Sequence, residues 1–435
     1  MADLKPFAAL RCSKENAETL SSLPYDVYSV EEARAIVEKN PLSFISIDEP
    51  KVHFLTGTSD PDEVYEMAGR LLRESIAAGN YRQDDKEQFY LYELTMDGRV
   101  QTGLVGLTSV DDYLEGIIMK HENTRSEKEA GRVKHVRACA AHTGPIFLAY
   151  RFNQTLADLY EKIKKTDPIF DFTGEDGIRH RGFAISDDED IKTICDEFAK
   201  INRIYIADGH HRGAAAVKVA LQERAERGLP LKAHDENNLH VDNRPLHTAS
   251  YDYFMSVLFA DEELRVFDYN RVVADLNGLS EEEFIEEMEN IGTLETIGQE
   301  GISEDEIRPA AKGQVSVFLH GTWYRLTINP DIIPNDPVDS LDVALLQNLL
   351  LQPVLGIGDP RTDERIDFVG GIRGLHELER RYHEDATVAF AMYPTAMSEL
   401  FAVADAGMLM PPKSTWFEPK LRSGLFIHPI EELAD

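Results

Sequence analysis

Residues 204–216, IYIADGHHRGAAA, place an acid, a glycine, two histidines and an arginine between an apolar run and a row of alanines. Few local structures accept that order. Ile204 to Ala207 reads as the end of a buried strand, and the small residues from Gly213 read as the first turns of a tightly packed helix. The polar residues then occupy a strand-to-helix junction, where backbone amides point outward without intrahelical acceptors. Gly209 allows a tight turn and close approach of a ligand. Arg212 offers a planar charged fork suited to phosphate oxygens. Asp208 is of a type that holds a magnesium ion or accepts a proton. Such a junction binds phosphoryl groups. A structural reading stands beside it: Asp208 caps the helix, Arg212 pairs with a surface acid, and the histidines are satisfied internally. Shared metal binding by His210 and His211 is disfavoured, because adjacent side chains rarely point at one ion.

The rest of the chain supports an α/β (α+β) class, with mixed sheets and flanking helices. In YSVEEARAIVEKN, Ser29 is placed as an N-cap with Glu32 three residues on, the pattern of a capping box. FISIDEP reads as a short strand, and DPDEVYEMAGRLLRESIAAG as an amphipathic helix with a glycine stop. QFYLYELTMDGRVQTGLVGLTSV predicts a hairpin turning at Asp97-Gly98. A helix and a strand follow residue 125, then the strand GFAISD and another helix. From about residue 245 the pattern restarts, with strands, the acidic helix EEEFIEEMENI, a hairpin turning at His320-Gly321 and the helix LDVALLQNLLLQPVLG. This suggests two regions, 1–244 and 245–435, with a soft boundary.

Two further clusters carry polar chemistry. In KHENTR, residues 120–125, Glu122, Asn123 and Thr124 can fix a small polar substrate or simply cap the next helix. That helix carries Lys128, Arg132, Lys134, His135 and Arg137, a local positive excess that a solvated face explains equally well. In KSTWFEPKLRSG, residues 413–424, Lys413 and Lys420 arrive with Ser414 and Thr415 after a hundred residues without a lysine. Ammonium groups beside hydroxyls suit phosphate oxygens.

Composition excludes several classes. With 43% apolar and 28% charged residues the chain is an ordinary globular one, but its formal net charge is -33. That charge repels nucleic acid and anionic membrane surfaces, so neither is an expected partner. Cys12, Cys139 and Cys195 form no CxxC pair, which fits a reducing compartment without structural zinc. MADLKPFAALRCSKEN lacks the apolar core of a signal peptide, and no run reaches 18 apolar residues, so a cytoplasmic location is expected. No GxxxxGK[ST], protein-kinase motif set, GxSxG or HExxH is present.

Four blocks, PYDV (24–27), HENT (121–124), ADGHHR (207–212) and PPKSTWFEPKLRSGL (411–425), together resemble the signature blocks of the family labelled domain of unknown function (DUF) 1015. The resemblance implies a ParB/sulfiredoxin-like core with large elaborations and an activity similar to that of free-serine kinases, some of them pyrophosphate-dependent. It implies transfer of a phosphoryl group from pyrophosphate, or from ADP or ATP, to the hydroxyl of free L-serine, with Mg2+ bridging the donor oxygens near Asp208. Gly209, His210, His211 and Arg212 would grip the donor, covered by Lys413 and Lys420 with Ser414 and Thr415. His121, Glu122, Asn123 and Thr124 would bind serine, and Asp208, Glu122 or Glu32 would serve as general base. Where many members carry a bulky residue after the arginine, this chain has Gly213 and alanines. The alternative reading is a ParB-like nucleotide-binding regulatory or interaction module without kinase activity. For such a module acting on DNA, basic patches are needed, and the net charge speaks against them.

Overall fold

A computed structural model of the chain describes residues 1–54, 61–124, 126–231 and 248–431. The chain forms two compact units, Met1–Leu264 with Pro419–Asp435, and Arg265–Glu418. Both combine sheets with helices, so the α/β class holds.

The first unit is built on a mixed nine-stranded sheet. Asp97 and Gly98 both take positive φ, 52° and 77°, and join Phe89–Met96 to Arg99–Ser109 in the expected hairpin. Tyr253–Ala260 lies antiparallel to Arg99–Ser109 on one side and parallel to Ile146–Tyr150 on the other. Ile146–Tyr150 in turn pairs antiparallel with Ile204–Asp208. The central strands are buried on both faces, as covering helices require. Helix His210–Glu226 sets Ala215, Ala216, Val219 and Ala220 against Leu148, Ile206 and Phe254. Its alanines let it approach the sheet closely, which fixes the junction at its start.

Some local expectations hold and others are corrected. Ser29 and Glu32 form the capping box of helix Val30–Lys39. Helix Pro61–Ala77 ends before Gly79 at φ 80°. FISIDEP is not a strand: Ile45–Asp48 is one helical turn, buried on every side. A short run buried all round carries no periodicity that separates helix from strand. The alanine helix begins at His210 rather than Gly213, because Gly209 supplies its N-cap in a left-handed conformation.

The second unit holds a six-stranded antiparallel sheet. His320 and Gly321 turn the hairpin between Gln314–Leu319 and Thr322–Ile328 at φ 48° and 73°. The predicted helix from Leu341 is α-helical over Asp342–Leu346 and continues as a π turn over Gln347–Leu351. Trp323, Phe318, Val272, Leu378 and Ala389 form its core.

Candidate functional site

The strand Ile204–Asp208 delivers Asp208 to the edge of the helix that follows. Gly209 sits at φ 91° and ψ 27°, a conformation that L residues avoid. A Cβ built on it would stand 3.3 Å from both Nε and Nη2 of Arg212, so the guanidinium folds back over the turn. Arg212 Nη1 donates to the Pro145 carbonyl at 2.6 Å, which holds the fork in place. The Asp208 carboxylate accepts the Gly209 N–H at 2.8 Å and meets Lys420 Nζ at 3.0 Å. Asp208 is 31% exposed and Lys420 14%. Burial opposes the aspartate charge, but Lys420 and Arg212 outweigh it and hold the carboxyl far below the usual range. Two cations, one carboxylate and a helix N-terminus therefore share a single turn.

Two buried histidines stand behind it. The rings of His121 and His210 meet edge to face, with centroids 4.5 Å apart. Burial lowers His121 to about 4, against the pull of the Asp208 charge and the Ile206 carbonyl. Burial, then His121, drives His210 well below its ordinary value. Both imidazoles are neutral at pH 7. Among the described residues, His121 Nδ1 and His210 Nε2 are buried without a hydrogen-bond partner. Glu122, 49% exposed, brings Oε2 to 4.0 Å from His210 Nδ1.

The structure thus assembles His121, Glu122, Asp208, Gly209, His210, His211, Arg212 and Lys420. Several of the other anticipated residues make local contacts. Thr124 Oγ1 donates to Glu129 at 3.1 Å, at the start of helix Ser126–Cys139, and Asn123 is exposed beside it. Glu32 accepts the Ser29 N–H at 2.8 Å in its capping box. Lys413, Ser414 and Thr415 belong to the second unit. There Lys413 takes φ 61° with its ammonium 5.2 Å from the Tyr269 ring centroid, and Ser414 Oγ donates to the Pro411 carbonyl at 2.6 Å.

Sequence reasoning missed Asp48. Arg132, read as part of a solvated face, is buried and pairs with Asp48 at 3.0 Å. Ser423 Oγ donates to the same carboxylate at 2.9 Å, and the Tyr25 N–H reaches it at 3.3 Å. Burial works against the Asp48 charge, and Arg132, His135 and Arg212 together keep it lowered. Asp48, Arg132, His142, Thr143 and Arg212 line a cavity of about 30 Å³. Its one legible signal was indirect: the PYDV block and the RSG end of the last block both close on Asp48.

Both Asp208 oxygens are engaged, and among the described residues no cluster of three His, Cys, Asp or Glu can hold a metal ion. The turn offers magnesium one carboxylate rather than a cage, which suits an ion carried in on phosphates. Among the described residues no helix is long and apolar enough to cross a membrane.

Comparison with known proteins gives a family and distant structural likenesses. The family described as "Protein of unknown function (DUF1015)" matches residues 4–344. None of the curated proteins matches the chain. Among solved structures, the chain is similar to a free serine kinase in complex with AMP, at 13% identity and a TM-score of 0.33, over 75% of this chain and 92% of that one. It is also similar to SbnI with a C-terminal truncation from Staphylococcus aureus, at 11% identity and a TM-score of 0.38, over 76% and 88%. A conserved hypothetical protein from Pyrococcus furiosus aligns at 14% identity and a TM-score of 0.32, over 75% and 96%.

Proposed function

The chain belongs to the DUF1015 family, and from that premise and the geometry of the Asp208–Arg212 turn we propose that it is a small-molecule kinase that phosphorylates the hydroxyl of free L-serine. The observation that carries the reading is the arrival of Lys420 at Asp208, beside Arg212 and a helix N-terminus. An acidic chain has gathered two cations and a row of outward amides at one turn, and such a constellation holds phosphate oxygens.

The chemistry follows from who can do what. The amides of residues 210–212 with Arg212 and Lys420 bind the terminal phosphoryl group of the donor, pyrophosphate in this reading, with ADP or ATP as the alternative. Magnesium bound with the donor would neutralise charge on its oxygens, with Asp208 as its contact in the protein. Asp208, pinned as an anion by Lys420 and Arg212, is a weak base. Glu32 serves its capping box. Glu122 is half exposed and stands beside neutral His210, which leaves it the best placed of the three acids to take the hydroxyl proton. The serine oxygen forms its bond to phosphorus as the donor's bridging P–O bond breaks. The bridging oxygen leaves with the remainder of the donor, as orthophosphate when the donor is pyrophosphate. His121 and Glu122 face the acceptor, and the buried nitrogens of His121 and His210 give it polar partners.

Incubation of the protein with L-serine, magnesium and pyrophosphate, ADP or ATP in separate reactions, followed by phosphorus NMR, tests the reading. A phosphoserine resonance in one of them supports it and names the donor. No phosphoserine with any of the three donors removes it.

A further inference from the structure

The second unit contains a cleft of about 290 Å³ whose lining includes Arg271, Gln347, Asn348, Leu351, Phe368 and Pro412. Arg271 lies on the strand Tyr269–Val273 and is 3% exposed. Its two hydrogen bonds go to main-chain carbonyls, those of Tyr269 and Lys413, the latter at 3.0 Å. Among the described residues it forms no ion pair with an acidic side chain. The carboxylate of the lining, Asp359, is committed to Arg361 at 2.8 Å. Burial pushes the guanidinium down to about 10, with only Tyr269 pulling the other way.

A buried arginine without a counter-charge is expensive, because main-chain carbonyls satisfy donors but do not neutralise the ion. Proteins normally bury such a group only against a carboxylate. Another wall of the cleft is also unusual. It is the π turn Gln347–Leu351, a rare irregularity of helices that is frequent at functional sites. That turn contributes Gln347, Asn348 and Leu351 to the lining, so amide groups and an apolar surface share the cleft with two arginines. Of these, Arg361 is paired with Asp359 and Arg271 with no carboxylate among the described residues. Phe368 backs the guanidinium, its ring centroid 5.4 Å away.

We propose that this cleft is a binding site for a small organic anion, with its carboxylate or phosphate on Arg271 and its body against Leu351, Phe368 and Pro412. The volume suits a metabolite at the small end of the ligand range. The planar fork of arginine fits either oxyanion, and the amides of Gln347 and Asn348 select its polar substituents.

The chain's only two tryptophans, Trp323 and Trp416, both lie in this unit. Trp416 packs edge to face on Tyr269, with centroids 5.0 Å apart, next to the carbonyl that Arg271 grips. Intrinsic fluorescence of the full chain therefore reads this cleft. At constant ionic strength, titration with phosphoglycolate, inorganic phosphate and succinate separates phosphate from carboxylate recognition. The expected result is a saturable change with at least one of the organic anions. It should persist in Arg212→Ala and weaken at least about tenfold in Arg271→Met and in Arg271→Lys. Arg271→Met should still fold, since it removes an uncompensated charge, and Arg271→Lys covers the case where it does not. No saturable response to any anion, an equal response in both Arg271 variants, or a response lost in Arg212→Ala would overturn the proposal.

Discussion

Lys420 Nζ lies 3.0 Å from Asp208 Oδ2 although 212 positions separate the two residues in sequence. The pair closes the C-terminal segment onto the strand-to-helix turn and fixes a cation beside Arg212. Removing either cation should reduce turnover far more than stability. Arg212→Lys loses the fork and should lower kcat by roughly 10²-fold, and Lys420→Met should raise the donor KM. With Arg212 and Lys420 on one donor anion, as proposed, the double variant should fall short of the product of the single effects. Independent effects in steady-state kinetics would separate Lys420 from the donor site.

In the proposed reaction Glu122 takes the hydroxyl proton and lies on the acceptor side of the site. Glu122→Gln keeps its size and hydrogen-bonding reach, so it should leave donor affinity within about twofold while kcat falls by roughly 10²-fold. Calorimetric titration of the donor against serine decides the point. Loss of donor affinity with normal serine binding would place Glu122 on the wrong substrate.

A Cβ at Gly209, which sits at φ 91°, would press on the Arg212 guanidinium at 3.3 Å. Gly209→Ala should cost about 1–2 kcal/mol from the left-handed backbone alone. It should also dislodge Arg212, so activity should fall beyond what the lost stability explains. Gly213→Ala is a contrasting case, since a Cβ there meets only side chains at 3.7 Å or more. It should be tolerated. Thermal melts and kinetics on the pair of variants check both statements.

Acid should destabilise the fold before Asp208 and Asp48 protonate. Burial lowers His121 and His135 to about 4 and His180 to about 3, while an unfolded histidine titrates near 6.5. Between those values the unfolded chain holds more protons than the folded one, so stability falls as pH drops through that window. Asp208 and Asp48 carry depressed values, and their stabilisation is lost only at still lower pH. Melting temperature should decline from about pH 6.5 to about pH 4 with net proton uptake on unfolding. Burial lowers His142 and His210 as well, and the five rings outnumber Asp112 and Asp342, which burial raises to about 7 and about 6 and which act in the opposite direction. A flat profile across that range would contradict the burial of these rings.

Local structure with a local cause was legible in the sequence, and structure with a distant cause was not. Asp97-Gly98 and His320-Gly321 turn hairpins because each pair tolerates positive φ, and Ser29 with Glu32 caps a helix because the two side chains meet across one turn. The DGHHR turn was readable for the same reason, since Gly209 and the alanines state the geometry themselves. Asp48 was not. Its turn is buried all round, and its partners Arg132 and Ser423 are 84 and 375 positions away. Nor does any local pattern announce that the chain leaves one compact unit at Leu264 and returns to it at Pro419. Such facts follow from burial and charge in three dimensions.

Arg224 shows the same limit and yields the last prediction. Nothing in ALQERAERG separates it from Arg227, yet Arg224 is fully buried and Arg227 exposed. Arg224 Nε donates to Asp252 at 2.8 Å, and Nη1 and Nη2 donate to Asp111 at 2.9 and 3.0 Å. One guanidinium thus bonds to two buried carboxylates at the far end of the helix that begins at the Asp208–Arg212 turn. Arg224→Met would strand both carboxylates and should cost about 3–5 kcal/mol, the usual penalty for breaking a buried pair from one side. Adding Asp111→Asn and Asp252→Asn to it should recover much of that loss, because the remaining amides need partners but carry no charge. Arg227→Ala should cost less than about 1 kcal/mol, because Arg227 is exposed and its buried partner Glu223 keeps Arg137 at 3.0 Å. Denaturant melts of the single, triple and control variants decide the matter. A triple variant as unstable as Arg224→Met would mean that packing, not charge, is what Arg224 supplies.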